Sequence, residues 1–172
     1  MSCLAHALSS TRRCAVRALV ALAAFSLSVA AATASTLEIV LADGHVEVLA
    51  EARIATLTRH EQVESAHGET HRFAGYALRE VLQLAGVATD GLRGRAVATV
   101  LFAEAADGCS AALALAELDP TIGSRQVLLA DRVDDMPLPE PMRPWRLVVG
   151  GERRPTRWVR NLVRIRVVES LR

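Results

Sequence analysis

The densest chemical signal in the chain is a run of arginines near its C-terminus. Between Arg143 and Arg166 stand Arg143, Arg146, Arg153, Arg154, Arg157, Arg160, Arg164 and Arg166, against a single acid, Glu152. A local charge of that sign attracts an anion. Arg153, Arg154, Arg157 and Arg160 lie in or beside Gly150-Gly151, and the free amides of a glycine turn can grip a phosphate together with guanidinium forks. The alternative is a solvated arginine face paired with the domain's own acids. His67 and His71 stand four residues apart, which suits a metal only on a helix, and Gly68 and Thr70 oppose a helix there. A solvated loop is expected. Cys109 follows an Asp107-Gly108 turn, and it is expected to be a small buried hydrophobe, inert to redox chemistry. There is no Ser-His-Asp order, no P-loop and no GxGxxG.

The domain that must position these residues begins after an export signal. Arg12, Arg13 and Arg17 precede an apolar run of 13 residues, Ala18 to Ala30, which ends in Ala32-Thr33-Ala34. Basic, apolar and small-residue regions in that order form a cleavable signal peptide over residues 1–34, with the cut before Ser35. The run is too short to span a bilayer of roughly 30 Å, and no cysteine stands at the new N-terminus. A periplasmic or secreted protein without membrane anchor is therefore expected. Three of the 20 basic residues and none of the 19 acidic ones fall in the leader, so the remainder carries 17 against 19, a net of −2. No nucleic-acid partner is expected.

Residues 35–172 are the length of one domain with one core. Cys3 and Cys14 leave with the leader, so Cys109 stands alone. An internal disulfide, a cysteine-built zinc site and an iron–sulfur cluster are thereby excluded.

Leu37, Ile39 and Leu41, then Asp43-Gly44, then Val46 and Val48 predict a β-hairpin closed by a type I′ turn. Residues 50–58 allow one helical turn, and 59–72 form a polar stretch that a short strand could cross. Leu78, Val81, Leu82 and Ala85 share one face at helical spacing, with Gly86 at the C-terminal cap. Strands are predicted at 95–102, 110–115, 126–130, 145–149 and 162–168, with a proline-fixed loop over 136–141.

Order within the C-terminal third carries a family resemblance. Val127-Leu-Leu-Ala130, Met136-Pro-Leu-Pro139, Pro144-Trp-Arg-Leu-Val-Val-Gly-Gly151, Arg157-Trp-Val-Arg160 and Ile165-Arg-Val167 follow one another, and Phe73-Ala-Gly75 opens the helix that ends at Gly86. This series resembles the molybdopterin-binding domain of the sulfite oxidase family over about residues 60–168. The resemblance implies an α+β fold, a mixed β-sheet domain with short helices. It also implies a pterin phosphate held by the turn Gly150 and Gly151, by Arg157 in place of the family's lysine, by Trp158, and by the strand arginine Arg146. Two features depart from the family. Its enzymes bind molybdenum through a cysteine placed at about Glu61 to Glu69 here, where this chain has none, and Gly150 stands where a proline is usual. The expectation is an exported molybdopterin-dependent oxidoreductase-family protein that binds a pterin phosphate, with the redox step in doubt. The alternative is a non-catalytic periplasmic module on the same fold, binding an anion or a protein partner.

Overall fold

A computed structural model describes residues 35–169. The expected signal peptide lies outside the described residues. Two five-stranded sheets share one hydrophobic core. The first has the order β2-β1-β10-β5-β6, from β1 (Thr36–Val40), β2 (Val46–Ala50), β5 (Val100–Ala105), β6 (Ser110–Ala114) and β10 (Leu162–Val168). It is mixed, because β1 and β10 run parallel while its other pairs are antiparallel. The second is antiparallel, from β3 (Arg59–Ala66), β4 (Glu69–Ala77), β7 (Val127–Val133) and the two-residue β8 (Met136–Pro137), with β9 (Arg146–Val149) also on β7. The expected mixed-sheet domain with short helices is the one observed, with more strand than helix.

Alternation decides which side of each strand is buried. Leu37 and Ile39, Leu101 and Ala103, and Ile165 and Val167 enter the core from the first sheet. In the second sheet Val127 to Ala130 of β7 and Leu147 to Val149 of β9 are all buried, so both faces of these strands are covered. The short helix α2 (Leu78–Leu84) adds Leu78, Val81 and Leu82, as its spacing predicts, and ends at Gly86 in the left-handed region. The one-turn helix α1 (Glu51–Ile54) buries Ile54. Among the described residues no helix is long and apolar enough to cross a membrane.

Three sequence expectations change. The Asp43-Gly44 turn is not type I′, because only Gly44 has a positive φ; the Gly44 amide donates to Leu41 O, and Asp43 caps the His45 amide at 2.9 Å. That is a type I turn followed by a glycine bulge. Ala105 to Cys109 repeats it, with Gly108 left-handed and Asp107 capping the Cys109 amide at 3.0 Å. Two consecutive positive φ values occur instead at His67 (56°) and Gly68 (88°), which close the β3–β4 hairpin. Residues 59–72 thus hold two paired strands where at most one short strand is expected. Finally, the predicted strand over 95–102 begins as a 3-10 helix, Gly94–Ala98, because Arg95 and Val97 are exposed and no strand pairs them.

Gly75 shows what the phenylalanine-alanine-glycine motif is for. It sits where the β4–β7 register shifts, and a Cβ there would lie 2.1 Å from the Leu129 carbonyl oxygen. Only a glycine permits that approach of two central strands. Gly75→Ala is expected to cost roughly 3 kcal/mol, lowering the melting temperature by about 10 °C in a calorimetric scan. A shift below about 2 °C would contradict the tight β4–β7 contact.

Candidate functional site

The connection between β9 and β10, residues 150–161, crosses from one sheet to the other and carries the expected anion site. It is clipped at both ends by backbone bonds, Leu147 N to Val159 O at 2.7 Å and Leu162 N to Trp145 O at 2.9 Å. A short 3-10 turn, Pro155–Arg157, brings Arg157 against β6.

The turn donors are already engaged. The Gly150 amide donates to Gln126 O at 2.8 Å, and the Gly151 amide donates to the Glu64 carboxylate at 3.2 Å and 3.3 Å. Gln62, buried beneath, donates to the same carboxylate at 2.9 Å. A Cβ on Gly150 would lie 2.8 Å from Gln126 O. Proline, lacking an N–H, could not make the Gly150 bond either. Glycine is therefore the residue that this geometry of the turn accepts.

Arg157 is engaged as well. Its Nε donates to Glu152 at 2.6 Å, its two terminal nitrogens donate to Glu117 at 3.1 Å and 3.4 Å, and one of them reaches Ala112 O at 3.3 Å. Glu117 also forms an ion pair with Arg125 at 2.9 Å and accepts from the Ala114 amide at 3.1 Å. Ala112 and Ala114 belong to β6, an edge strand. The arginine and the glutamate therefore occupy edge groups that would otherwise invite another strand. Burial pushes the Glu117 carboxyl up, and the Arg157 hydrogen bond, the Ala114 amide and the two guanidinium charges outweigh it, leaving it below the usual range.

Arg146 differs. Its guanidinium lies 5.2 Å from the Phe73 ring centroid and 5.3 Å from that of Trp158, and those rings meet edge to face at 5.4 Å. Trp158 is 8% exposed and its indole N–H donates to Val149 O at 3.0 Å. The one polar contact of Arg146 among the described residues is to the Met142 thioether at 3.1 Å, and its buried Nε has no partner. Burial, and then the charge of Arg160, push this guanidinium below the usual arginine range.

Of the five residues expected at the site, the structure brings Arg146 and Trp158 together around Phe73. Gly150, Gly151 and Arg157 join a separate group with Glu64, Glu117, Glu152 and Arg125. The sequence reading missed Glu64, Glu117 and Arg125, which lie outside the 143–166 window. Three of the other six arginines of that window find acids too: Arg164 binds Glu38 at 2.7 Å, Arg166 binds Glu104 at 2.5 Å, and Arg160 lies 4.0 Å from Asp107. His71 is held by Asp134 at 2.7 Å and His67 sits in the hairpin turn, on strands rather than a helix. No group of three or more metal-ligating residues occurs among the described residues. Cys109, expected to be buried, is exposed. The Asp-capped turn lifts it out of the pleat that buries Ala111 and Leu113.

Two sheets around one core, joined by an arginine-rich crossover, make this a mostly β domain. The chain belongs to the oxidoreductase molybdopterin binding domain family, which matches residues 21–171. Comparison with curated proteins gives no match. Among solved structures it is similar to the sulfane dehydrogenase SoxCD from Paracoccus pantotrophus, at 17% identity and a TM-score of 0.60, over 79% of this chain and 38% of that one. The likeness is one of fold, and this chain spans well under half of that protein's length.

Glu117 owes its lowered carboxyl largely to Arg157, so the stabilisation is complete above the ordinary glutamate range and is lost as pH falls through the lowered value. Arg157→Ala is expected to cost about 1 kcal/mol at neutral pH, a modest figure because the pair is part exposed, and less below about pH 4. Urea unfolding at both pH values measures this. An equal loss at both would contradict the ion-pair role.

Proposed function

We propose that this chain is an exported, non-catalytic member of the family that binds an anion at Arg146. The observation that carries the reading is the orphaned, buried Nε of a half-buried guanidinium with no carboxylate beside it. An unpaired buried charge is costly, and an unpartnered buried donor in a native protein calls for a ligand, an ion or water. Arg160, close enough to depress Arg146, adds a second cation on the same side. Phe73 and Trp158 fix the guanidinium by cation–π contact, so little side-chain freedom would be lost on binding.

The molybdopterin group of the family fits these residues at one end. Its phosphate has a cation to meet at Arg146, whereas the Gly150-Gly151 turn offers a phosphate a carboxylate, Glu64, instead of free amides. At the metal end the residues do not fit. The β3–β4 hairpin, which contains the stretch Glu61 to Glu69, has no thiol, and Cys109 sits on a hairpin of the other sheet. A soft thiolate is what would anchor the metal, so no redox step is assigned to this chain. Export into the periplasm follows from the signal-peptide pattern at residues 1–34.

Sulfate and phosphate titrations of the mature protein test the reading. Arg146→Ala is expected to weaken binding ten- to a hundredfold, the value of roughly 1.5–3 kcal/mol for a charge-assisted contact. Arg146→Lys keeps the charge and is expected to fall between the two. Loss of binding with Arg157→Ala and not with Arg146→Ala would overturn the assignment to Arg146. Molybdenum analysis of protein purified from the periplasm is expected to find none in stoichiometric amount. One molybdenum per chain would overturn the non-catalytic reading.

A further inference from the structure

A cleft of about 250 Å³ opens between β3, the start of α2 and the loop 118–128, and two of its lining residues, Arg125 and Gln126, also bond Gly150. Its floor is apolar, with Leu118, Val127 and Leu128 all buried. The loop wall is held rigidly. Asp119, fully buried, accepts from Leu92 N at 2.8 Å and from Thr121 N and Oγ1 at 2.7 Å, while its own carbonyl accepts from Ser124 N at 2.8 Å. Ser124, on the cleft, is driven to φ 46°, and non-glycine strain of that kind gathers at ligand clamps.

The charges around this floor come in both signs. Arg79 and Arg125 line the cleft, and so do Glu61 and Glu80. Glu80 is met by His60 alone, at 3.5 Å. Arg125 is fixed by Glu117 through Nε and by Gly150 O at 3.2 Å, which leaves its second terminal nitrogen without an acceptor among the described residues. Two cations and two anions over an apolar floor suit neither a simple anion nor a simple amine. They suit a molecule carrying one charge of each sign beside an apolar group.

We propose that this cleft binds an aliphatic α-amino acid, its ammonium on Glu80, its carboxylate on Arg125, and its side chain on Leu118, Val127 and Leu128. The volume lies just below the roughly 300–1,000 Å³ that encloses drug-sized ligands, which fits a ligand of that size. The site is separate from Arg146 and does not depend on the anion reading given above.

Titration calorimetry of the mature protein with L-leucine, 4-methylpentanoate and 3-methylbutylamine tests the proposal, with L-valine, L-isoleucine and L-methionine alongside. At least one of the four amino acids is expected to bind, and the two half-charged analogues of leucine to bind at least tenfold more weakly than leucine or not at all. Glu80→Gln, at a half-buried position of α2, is expected to weaken binding about tenfold, the value of one charge-assisted contact. Arg125→Lys, which keeps the pairing charge for Glu117 but loses the fork, is expected to do the same, and Arg153→Ala to change nothing. Failure of all four amino acids to bind at millimolar concentration would overturn the proposal. So would equal binding of either half-charged analogue, or undiminished binding by Glu80→Gln.

Discussion

The Glu117 carboxylate is the interaction on which the seam of this domain depends. It takes Arg157 from the crossover, Arg125 from the loop before β7 and the Ala114 amide from the edge of the first sheet. One side chain thus ties three separate segments together. Because Arg157 also holds Glu152 and the Ala112 carbonyl, removing the carboxylate would loosen both the crossover and the strand edge. Through Arg125, which also donates to the Gly150 carbonyl at 3.2 Å, the knot reaches the turn at Gly150.

That knot changes the meaning of the arginine-rich segment. Eight arginines against one acid, counted along the sequence, point to an anion site. In space, Glu38, Glu104 and Glu117 meet three of those arginines, Arg157, Arg164 and Arg166, and each of the three acids comes from elsewhere in the chain. Glu64 does the same for the turn amide. What survives is one cation that lies too deep for water to solvate fully and has no acid beside it. Arg146 stands out through its surroundings, Phe73, Trp158 and Met142, and not through its place in a charge count.

Much of the fold was legible because local rules dominated there. The spacing of Leu78, Val81 and Leu82 with Gly86 behind them marked α2, and the alternation in Leu162 to Val168 marked β10 to the residue. Gly75, read only as part of a motif, proves to be a packing requirement of two central strands. The misreadings have equally local causes. His67 adopts a left-handed conformation usually left to glycine or asparagine, so the β3–β4 hairpin was hidden inside a polar stretch. At 95–102 an apolar composition disguised a 3-10 turn. The expectation of a buried Cys109 followed the statistics of lone cysteines, whereas its Asp-capped turn leaves it exposed. Of the site, the sequence resemblance singled out Arg146 and the Gly150-Gly151 turn, while long-range pairing decided which of these groups are already engaged.

The central claim is that Arg146, and not Arg157, is the guanidinium left open to an anion. Heteronuclear magnetic resonance of the arginine Nε–H groups reads this directly, since each side chain gives its own signal. On addition of sulfate, the Arg146 Nε–H resonance is expected to shift and its exchange with water to slow, while that of Arg157, already bonded to Glu152 at 2.6 Å, stays in place. A shift at Arg157 with none at Arg146 would contradict the account.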